Sequence, residues 1–410
     1  MDVDAVADLP VVARDGAASA MASARRAVLA DRYAAGSLTV EWQPFRQLSS
    51  IAREWRELAA RALEPNIFYE PAFALAAVPV FAPDAGAVLV WSSEVSPRRL
   101  LGFFPARIAK RRYGVKLPIL VGLTHPYGPL GVPLVEREGA EPIIAAWLAH
   151  LASDPALPGM AILPLLTEDG PFATALAAIL RRARMPTADL RRYERALLAP
   201  RGDRALYVER SIGQHRRKEL RRRWRRLSET GTVLFSAATA PARVAAALED
   251  FFALEARGWK GRIGTAIAKR NDLRRFAEAA VSGLAAEGKV SINRMLVDGR
   301  AIAATIIFRS GHRAWFWKIA YDETFARFSP GVTLSVVVTD ELLEDSEIEQ
   351  TDSCATANHP MIDHLWRERL PLCDRLLAVR PQAPFALVRR LERLRAVATA
   401  SARCLRDLLR

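Results

Sequence analysis

Three cysteines in 410 residues are too few for a disulfide scaffold. Cys354, Cys373 and Cys404 lie far apart and form no C-x-x-C pair. That excludes a structural zinc pattern and fits a reducing compartment. No run reaches the roughly 18 uncharged apolar residues of a membrane-spanning helix. The chain starts with Asp2, Asp4 and Asp8 and no early basic cluster, which argues against a secretory signal. These absences make a cytoplasmic protein the expectation, with peripheral contact at the inner membrane face as a variant.

What is present is apolar bulk and lopsided charge. With 51% hydrophobic residues, the chain can bury real cores, and its length predicts about two to three domains. The net charge of +14 is concentrated in the second half. Residues 210–226 hold nine basic residues and one acid; residues 385–410 hold seven and two. The chain thus reads as a near-neutral body with two basic appendages.

The densest stretch runs from Ser291 to Asp352. Residues 291–297 (SINRMLV) and 301–309 (AIAATIIFR) flank Asp298-Gly299, a strong hairpin signal. Residues 313–321 (RAWFWKIAY) add a third strand. Ser329-Pro330-Gly331 then opens a helix at 332–343, despite its run of valines, and a strand returns at 348–352. A strand that feeds a helix through a glycine-containing loop makes an anion site, because free N–H groups and the helix dipole converge there.

Elsewhere, residues 1–37 read as a disordered leader. Strands are expected at 40–42, 87–92, 100–107, 117–123, 159–165 and 190–197, with a turn at Ser96-Pro97. Helices are expected at 49–63, 140–151 and 171–183. The second half repeats this order: strand 233–236, helices 240–256 and 271–287, the meander, helix 332–343, strand 348–352, helix 361–369 and strand 374–379. Two copies of one element order imply two similar domains, 38–202 and 203–383, followed by a basic amphipathic helix at 384–410.

Residues 217–231 (RKELRRRWRRLSETG), 254–265 (LEARGWKGRIGT), 315–331 (WFWKIAYDETFARFSPG) and 352–366 (DSCATANHPMIDHLW) carry a resemblance. There the chain resembles the CelD/BcsL-type acetyltransferases. These are GNAT-superfamily proteins associated with cellulose biosynthesis and related to the FemAB aminoacyl transferases. The resemblance implies an α/β protein of tandem GNAT folds, with mixed sheets flanked by helices and a degenerate first domain. It implies acetyl-CoA or another acyl-CoA as co-substrate, no metal, and direct attack of an amine on the thioester. Where the superfamily often has two or three glycines in the pyrophosphate loop, this chain has only Gly331.

The candidate residues follow. Ser329, Gly331 and Val332 would hold the diphosphate through backbone N–H groups, with Arg327 and Lys318 adding charge; the bland reading is an ordinary turn that starts a helix. Tyr321, beside that loop, is placed to protonate the leaving thiolate or simply to pack. Asp352 or His359 would take the proton of the incoming ammonium, although Asn358 or His359 also suits a helix cap. Trp259, Lys260 and Trp317 would line the acceptor pocket; a helix end with packed aromatics is the alternative. His359 and His364 are wrongly spaced for a metal on one helical face. The loop His125-Pro-Tyr127-Gly-Pro-Leu-Gly131 has no basic residue, so the first domain is expected to shape the acceptor cleft without binding CoA.

The expected partner is a small-molecule or saccharide acceptor. Residues 210–226 and 385–410 would add weak contact with RNA or an anionic membrane surface, although a solvated helix face and packing onto the body are the plainer readings. Two alternatives remain: an aminoacyl-tRNA-dependent transferase and a non-catalytic scaffold.

Overall fold

The computed structural model describes residues 38–93, 98–111, 116–200, 202 and 204–395. The leader, the turn at Ser96-Pro97 and the basic segment after residue 395 lie outside them. The first half contains β1 (Leu38–Pro44), α1 (Ala52–Arg61), α2 (Pro71–Phe81), β2 (Gly86–Ser92), β3 (Leu100–Ala109), β4 (Ile119–Gly122), β5 (Leu134–Val135), α3 (Ala140–Ser153), β6 (Met160–Thr167), α4 (Pro171–Arg182) and β7 (Thr187–Leu198). The second contains α5 (Gln214–Ser228), β8 (Val233–Ala238), α6 (Pro241–Arg257), α7 (Asn271–Ala286), β9 (Val290–Val297), β10 (Arg300–Ser310), β11 (Arg313–Tyr321), α8 (Pro330–Glu344), β12 (Gln350–Asp352) and β13 (Glu368–Ala378).

The meander forms as its residues require. Asp298 and Gly299 both take positive φ, 47° and 78°, which a two-residue hairpin turn with a right-handed strand twist demands. Asp298 accepts the Thr232 N–H at 2.8 Å, which ties the turn to the start of β8. β9, β10 and β11 pair antiparallel in order. α8 forms despite its valines because Leu334, Val338 and Leu342 share one buried stripe.

Two elements depart from the expectation. The segment expected as a helix at 361–369 is a single 3-10 turn, Ile362–His364, and β13 starts already at Glu368. Pro371 lacks the N–H a helix interior needs, and this strand gains a ladder on each side, against β6 and β7. α2 gave no periodic signal because it is apolar on every face and carries Pro79 near its end. It is buried between the halves, where Phe73 meets Phe276 of α7 edge-on at 5.4 Å between centroids.

One mixed sheet runs through both halves in the order β1-β2-β3-β4-β6-β13-β7-β12-β11-β10-β9-β8. The halves exchange their last strands. β13, from the second half, lies between β6 and β7 of the first, while β7 pairs with β12 of the second. Residues 200–203 follow β7 directly, so the sheet continues across that point. Residues 38–200 made alone are therefore expected to lack native packing, because β6 and β7 would stand about 9.6 Å apart with facing edges unpaired. Near-UV circular dichroism of that fragment checks this; a cooperative, monomeric unfolding transition would contradict it.

The C-terminal segment is helical from 385 to 395, the last described residue. Val388 is fully buried among Ile119, Met160 and Leu376, so this part packs onto the body.

Candidate active site

The site begins where two strands part. β12 pairs parallel with β11 only at Arg313, Ala314 and Trp315, and then turns away. Beyond Trp315, the outer edge of β11 has no ladder partner among the described strands. Its backbone groups there face an open wedge.

A bulge sits at this point. Phe316 pairs with Ile307 and Lys318 with Ile306, which leaves Trp317 unpaired. A bulge breaks the alternation of a strand and aims neighbouring side chains to one face. Trp317 and Lys318 both reach the first-half loop. Trp317 Nε1 donates to the Tyr127 carbonyl at 2.7 Å, and the Lys318 ammonium stands 4.2 Å from the Tyr127 ring centroid. Phe316 points the other way, onto Trp366.

The rim of the wedge holds several of the expected residues. Trp259, Lys260 and Tyr321 line one pocket with Glu255, Ile319 and Glu323. Lys260 Nζ pairs with Glu255 at 2.8 Å, and the other Glu255 oxygen accepts the Ile267 N–H at 2.7 Å. The Trp259 side chain is exposed, while the Trp259 backbone N–H donates to a Glu323 carboxylate oxygen at 2.6 Å. Tyr321 is partly exposed at the end of β11 and packs against Gly331. A Cβ at Gly331 would lie 3.2 Å from the Tyr321 ring, so glycine permits this approach.

The loop after β11 is built by Asp322, which caps the 3-10 turn Glu323–Phe328 by accepting the Thr324 N–H at 3.0 Å. Ser329 follows with φ 54° and starts α8, with Pro330 at its first position. The Ser329 hydroxyl accepts from Arg223 of α5, and no side chain caps the first N–H groups of α8. Gly331 is buried and Val332 half-buried at that end. Arg327 is exposed and stacks over Phe328 at 4.7 Å.

The floor is an ion pair between the halves. Arg195 of β7 binds Asp352 with two nitrogens, Nε at 2.6 Å from Oδ1 and Nη2 on the other oxygen, and gives its remaining end to the Pro129 carbonyl at 2.9 Å. Both Asp352 oxygens are thereby engaged by the guanidinium. Asp352 Oδ1 also accepts the Cys354 N–H at 2.9 Å. Burial, and then Asp352, push the Cys354 thiol well above its usual range, so it stays a thiol at neutral pH.

His359 Nδ1 accepts the Met361 and Ile362 N–H groups at 3.3 and 3.5 Å. It thereby closes a local turn, while the 3-10 turn Ile362–His364 has no side-chain cap and Asn358 adopts a left-handed conformation. Burial lowers the His359 pKa, so the neutral ring carries its proton on Nε2 and presents a donor.

Trp259, Lys260 and Tyr321 thus line one pocket, with Gly331 against Tyr321, whereas Trp317, expected there, is buried in an aromatic cluster with Phe73, Phe276 and Phe308. Asp352 lies on the floor of the wedge, and His359 is close enough to Lys260 to feel its charge. Arg195, Arg223 and Glu323 were not among the expected site residues, and Tyr127 was expected only as part of the first-half loop that shapes the cleft. Arg195, just before the apolar Ala196-Leu197-Leu198, was the one visible signal: a charge where a strand enters a core.

The first half lacks such a wedge. Its corresponding strands, β4 and β6, likewise pair over a short stretch, here two positions, Leu120 and Val121. The opening is filled by the loop that follows β4: the Gly131 N–H donates to Leu165 at 3.1 Å, and a Cβ at Gly131 would sit 1.9 Å from the Pro164 carbonyl oxygen.

Residues 214–358 match a family model described as an acetyltransferase (GNAT) domain. No curated protein sequence matches the chain. Among solved structures, the chain is similar to the C-terminal domain of a putative lysylphosphatidylglycerol synthetase from Agrobacterium fabrum. That likeness has TM-score 0.50 at 12% identity, over 84% of this chain and 96% of that one. It is also similar to FemX, with TM-score 0.54 at 8% identity, over 82% of this chain and 98% of that one. At such identities the likeness shows the fold alone. The chain therefore shares its fold with these proteins, and the stretch that matches the acetyltransferase (GNAT) domain model falls on the half that holds the open wedge.

Proposed function

We propose that the protein is an acyl-CoA-dependent N-acyltransferase that acylates an amine on a small molecule, a saccharide or an envelope precursor. The observation that carries this is the wedge itself: an unpaired strand edge, bulged at Trp317, leading through Tyr321 to an uncapped helix start at Gly331 and Val332. It coincides with the residues that match the acetyltransferase domain model.

The parts have separate roles in this reading. The diphosphate lies at the start of α8, where the N–H groups of Gly331 and Val332 and the helix dipole favour an anion. Arg223, drawn to Ser329, and Arg327 add positive charge there. The pantetheine arm runs along the free edge of β11, whose N–H groups polarise the thioester carbonyl. Tyr321 protonates the departing thiolate. Trp259, Lys260 and Tyr127 bound the acceptor side. The first half, with its wedge filled, contributes the wall and binds no CoA. Acetyl is the simplest acyl group, and a CelD/BcsL-type role in polysaccharide synthesis is the pathway we favour.

Isothermal titration with CoA and acetyl-CoA tests the reading. Saturable binding with one site per chain is expected; none, with the fold intact, would remove the donor assignment. Steeply salt-dependent binding of aminoacyl-tRNA in its place would shift the reading to a tRNA-dependent transferase using α5.

A further inference from the structure

Lys318 has a setting unlike that of the other cations near the halves' junction. Arg195 is paired with Asp352, Arg313 with Glu64, Lys289 with Glu70 and Glu287, and Lys260 with Glu255. Lys318 has no ion pair or hydrogen bond to its ammonium among the described residues. Its Nζ meets only aromatic rings, Tyr127 at 4.2 Å and Trp317 at 5.8 Å. It is half-buried on the part of β11 that has no partner on its outer edge, close enough to Lys260 and Glu255 of the neighbouring pocket to feel their charge. The two other candidates for taking a proton are engaged: Asp352 by Arg195 on both oxygens, and His359 through Nδ1.

We propose that Lys318 is the catalytic residue that accepts the proton of the incoming amine, an assignment that rests on the acyl-CoA reading above. Neutral Lys318 takes one proton from the acceptor ammonium. The freed lone pair forms the C–N bond to the thioester carbon, and the C–S bond then breaks. Tyr321 gives the thiolate its proton. Solvent takes the proton from Lys318 and the second amine proton, and returns one to Tyr321. The products are an amide, CoA thiol and one released proton.

The surroundings make Lys318 easier to deprotonate than an ordinary lysine. Burial, and then the nearby Lys260, bring its pKa down to about 8. Glu255, beside Lys260, acts in the opposite sense, whereas Cys354, after β12, is a neutral thiol in this pH range. Behind Cys354, the Asp352 carboxylate is matched by Arg195. On the loop side stand the Tyr127 ring and His125, which burial and the Lys318 charge lower to about 4 and so keep neutral.

Lys318→Arg and Lys318→Met test this together. Arginine keeps the positive charge but cannot accept a proton near neutral pH. Thioester consumption is followed with acetyl-CoA and a panel of amino sugars and simple primary amines. Both variants should lose about 100-fold or more in kcat, the range for a lost acid–base group, while CoA affinity changes less than about threefold. The wild-type rate should rise with pH through about 8, and the variants should lose that limb. Independently, trace labelling with acetic anhydride, read at Lys318 by peptide mass spectrometry, should titrate near 8 and be blocked by CoA.

Wild-type turnover by Lys318→Arg would overturn the assignment, because charge alone would then suffice. A labelling midpoint at the ordinary lysine value of about 10.4 would overturn it as well. CoA binding without thioester consumption by any amine would also count against it. Absence of CoA binding would remove the donor reading and this proposal with it, whereas the other outcomes leave that reading standing.

Discussion

Arg195→Met is expected to destabilise the protein by about 3–5 kcal/mol, the range for removing one partner of a buried ion pair. The side chains of Arg195 and Asp352 are 4% and 7% exposed. Methionine would fill the space but leave the Asp352 carboxylate buried without its cation. It would also release the Pro129 carbonyl, which holds the first-half loop against the wedge. Urea unfolding measures the loss. The double variant Arg195→Met with Asp352→Leu should recover most of it, since no charge is then stranded. Arg53→Ala, which removes an exposed partner of Glu54, should change stability by less than about 1 kcal/mol. A single variant at Arg195 as mild as Arg53→Ala would show that the junction of the halves does not depend on this pair.

Gly331→Asp is expected to weaken CoA binding by about 2–4 kcal/mol, because the new carboxylate would lie within about 4–8 Å of the diphosphate. The fold should survive, since an acid in the first turn of a helix is favourable. Gly331→Ala separates charge from size. Its Cβ would press on the Tyr321 ring at 3.2 Å, a contact that a partly exposed side chain at a strand end can relieve. Alanine should therefore cost less than tenfold in affinity by titration calorimetry. Equal losses for alanine and aspartate would mean that packing on Tyr321, and not an anion, is what this position serves.

Much of the wedge was legible along the chain. The hairpin at Asp298-Gly299, the aromatic strand and the Ser-Pro-Gly helix start all follow from near-neighbour preferences, and the structure has each of them. Trp317, Lys318, Tyr321 and Gly331 stand on those consecutive elements, so their proximity follows from their order. The residues that complete the wedge come from far away. Tyr127 meets Trp317 across 190 residues, Arg195 meets Asp352 across 157, and Arg223 meets Ser329 across 106. No local period encodes such pairs. The end of the segment 361–369 failed as a helix for the same reason: Glu368 and Arg369 pair with β7 of the other half.

The three-strand meander with its Asp298-Gly299 turn, the Ser-Pro-Gly helix start, the basic stretches and the lack of cysteine frameworks were settled by the amino-acid sequence alone, because each depends on residues within a few positions of one another. Three features were decided only by tertiary structure: the exchange of β7 and β13, the closing of the first wedge by its own loop, and the unpaired state of Lys318. Strand pairing, loop insertion and the desolvation of a charge all depend on what is packed against a residue in space. That is set by burial across the whole chain, not by its neighbours in sequence.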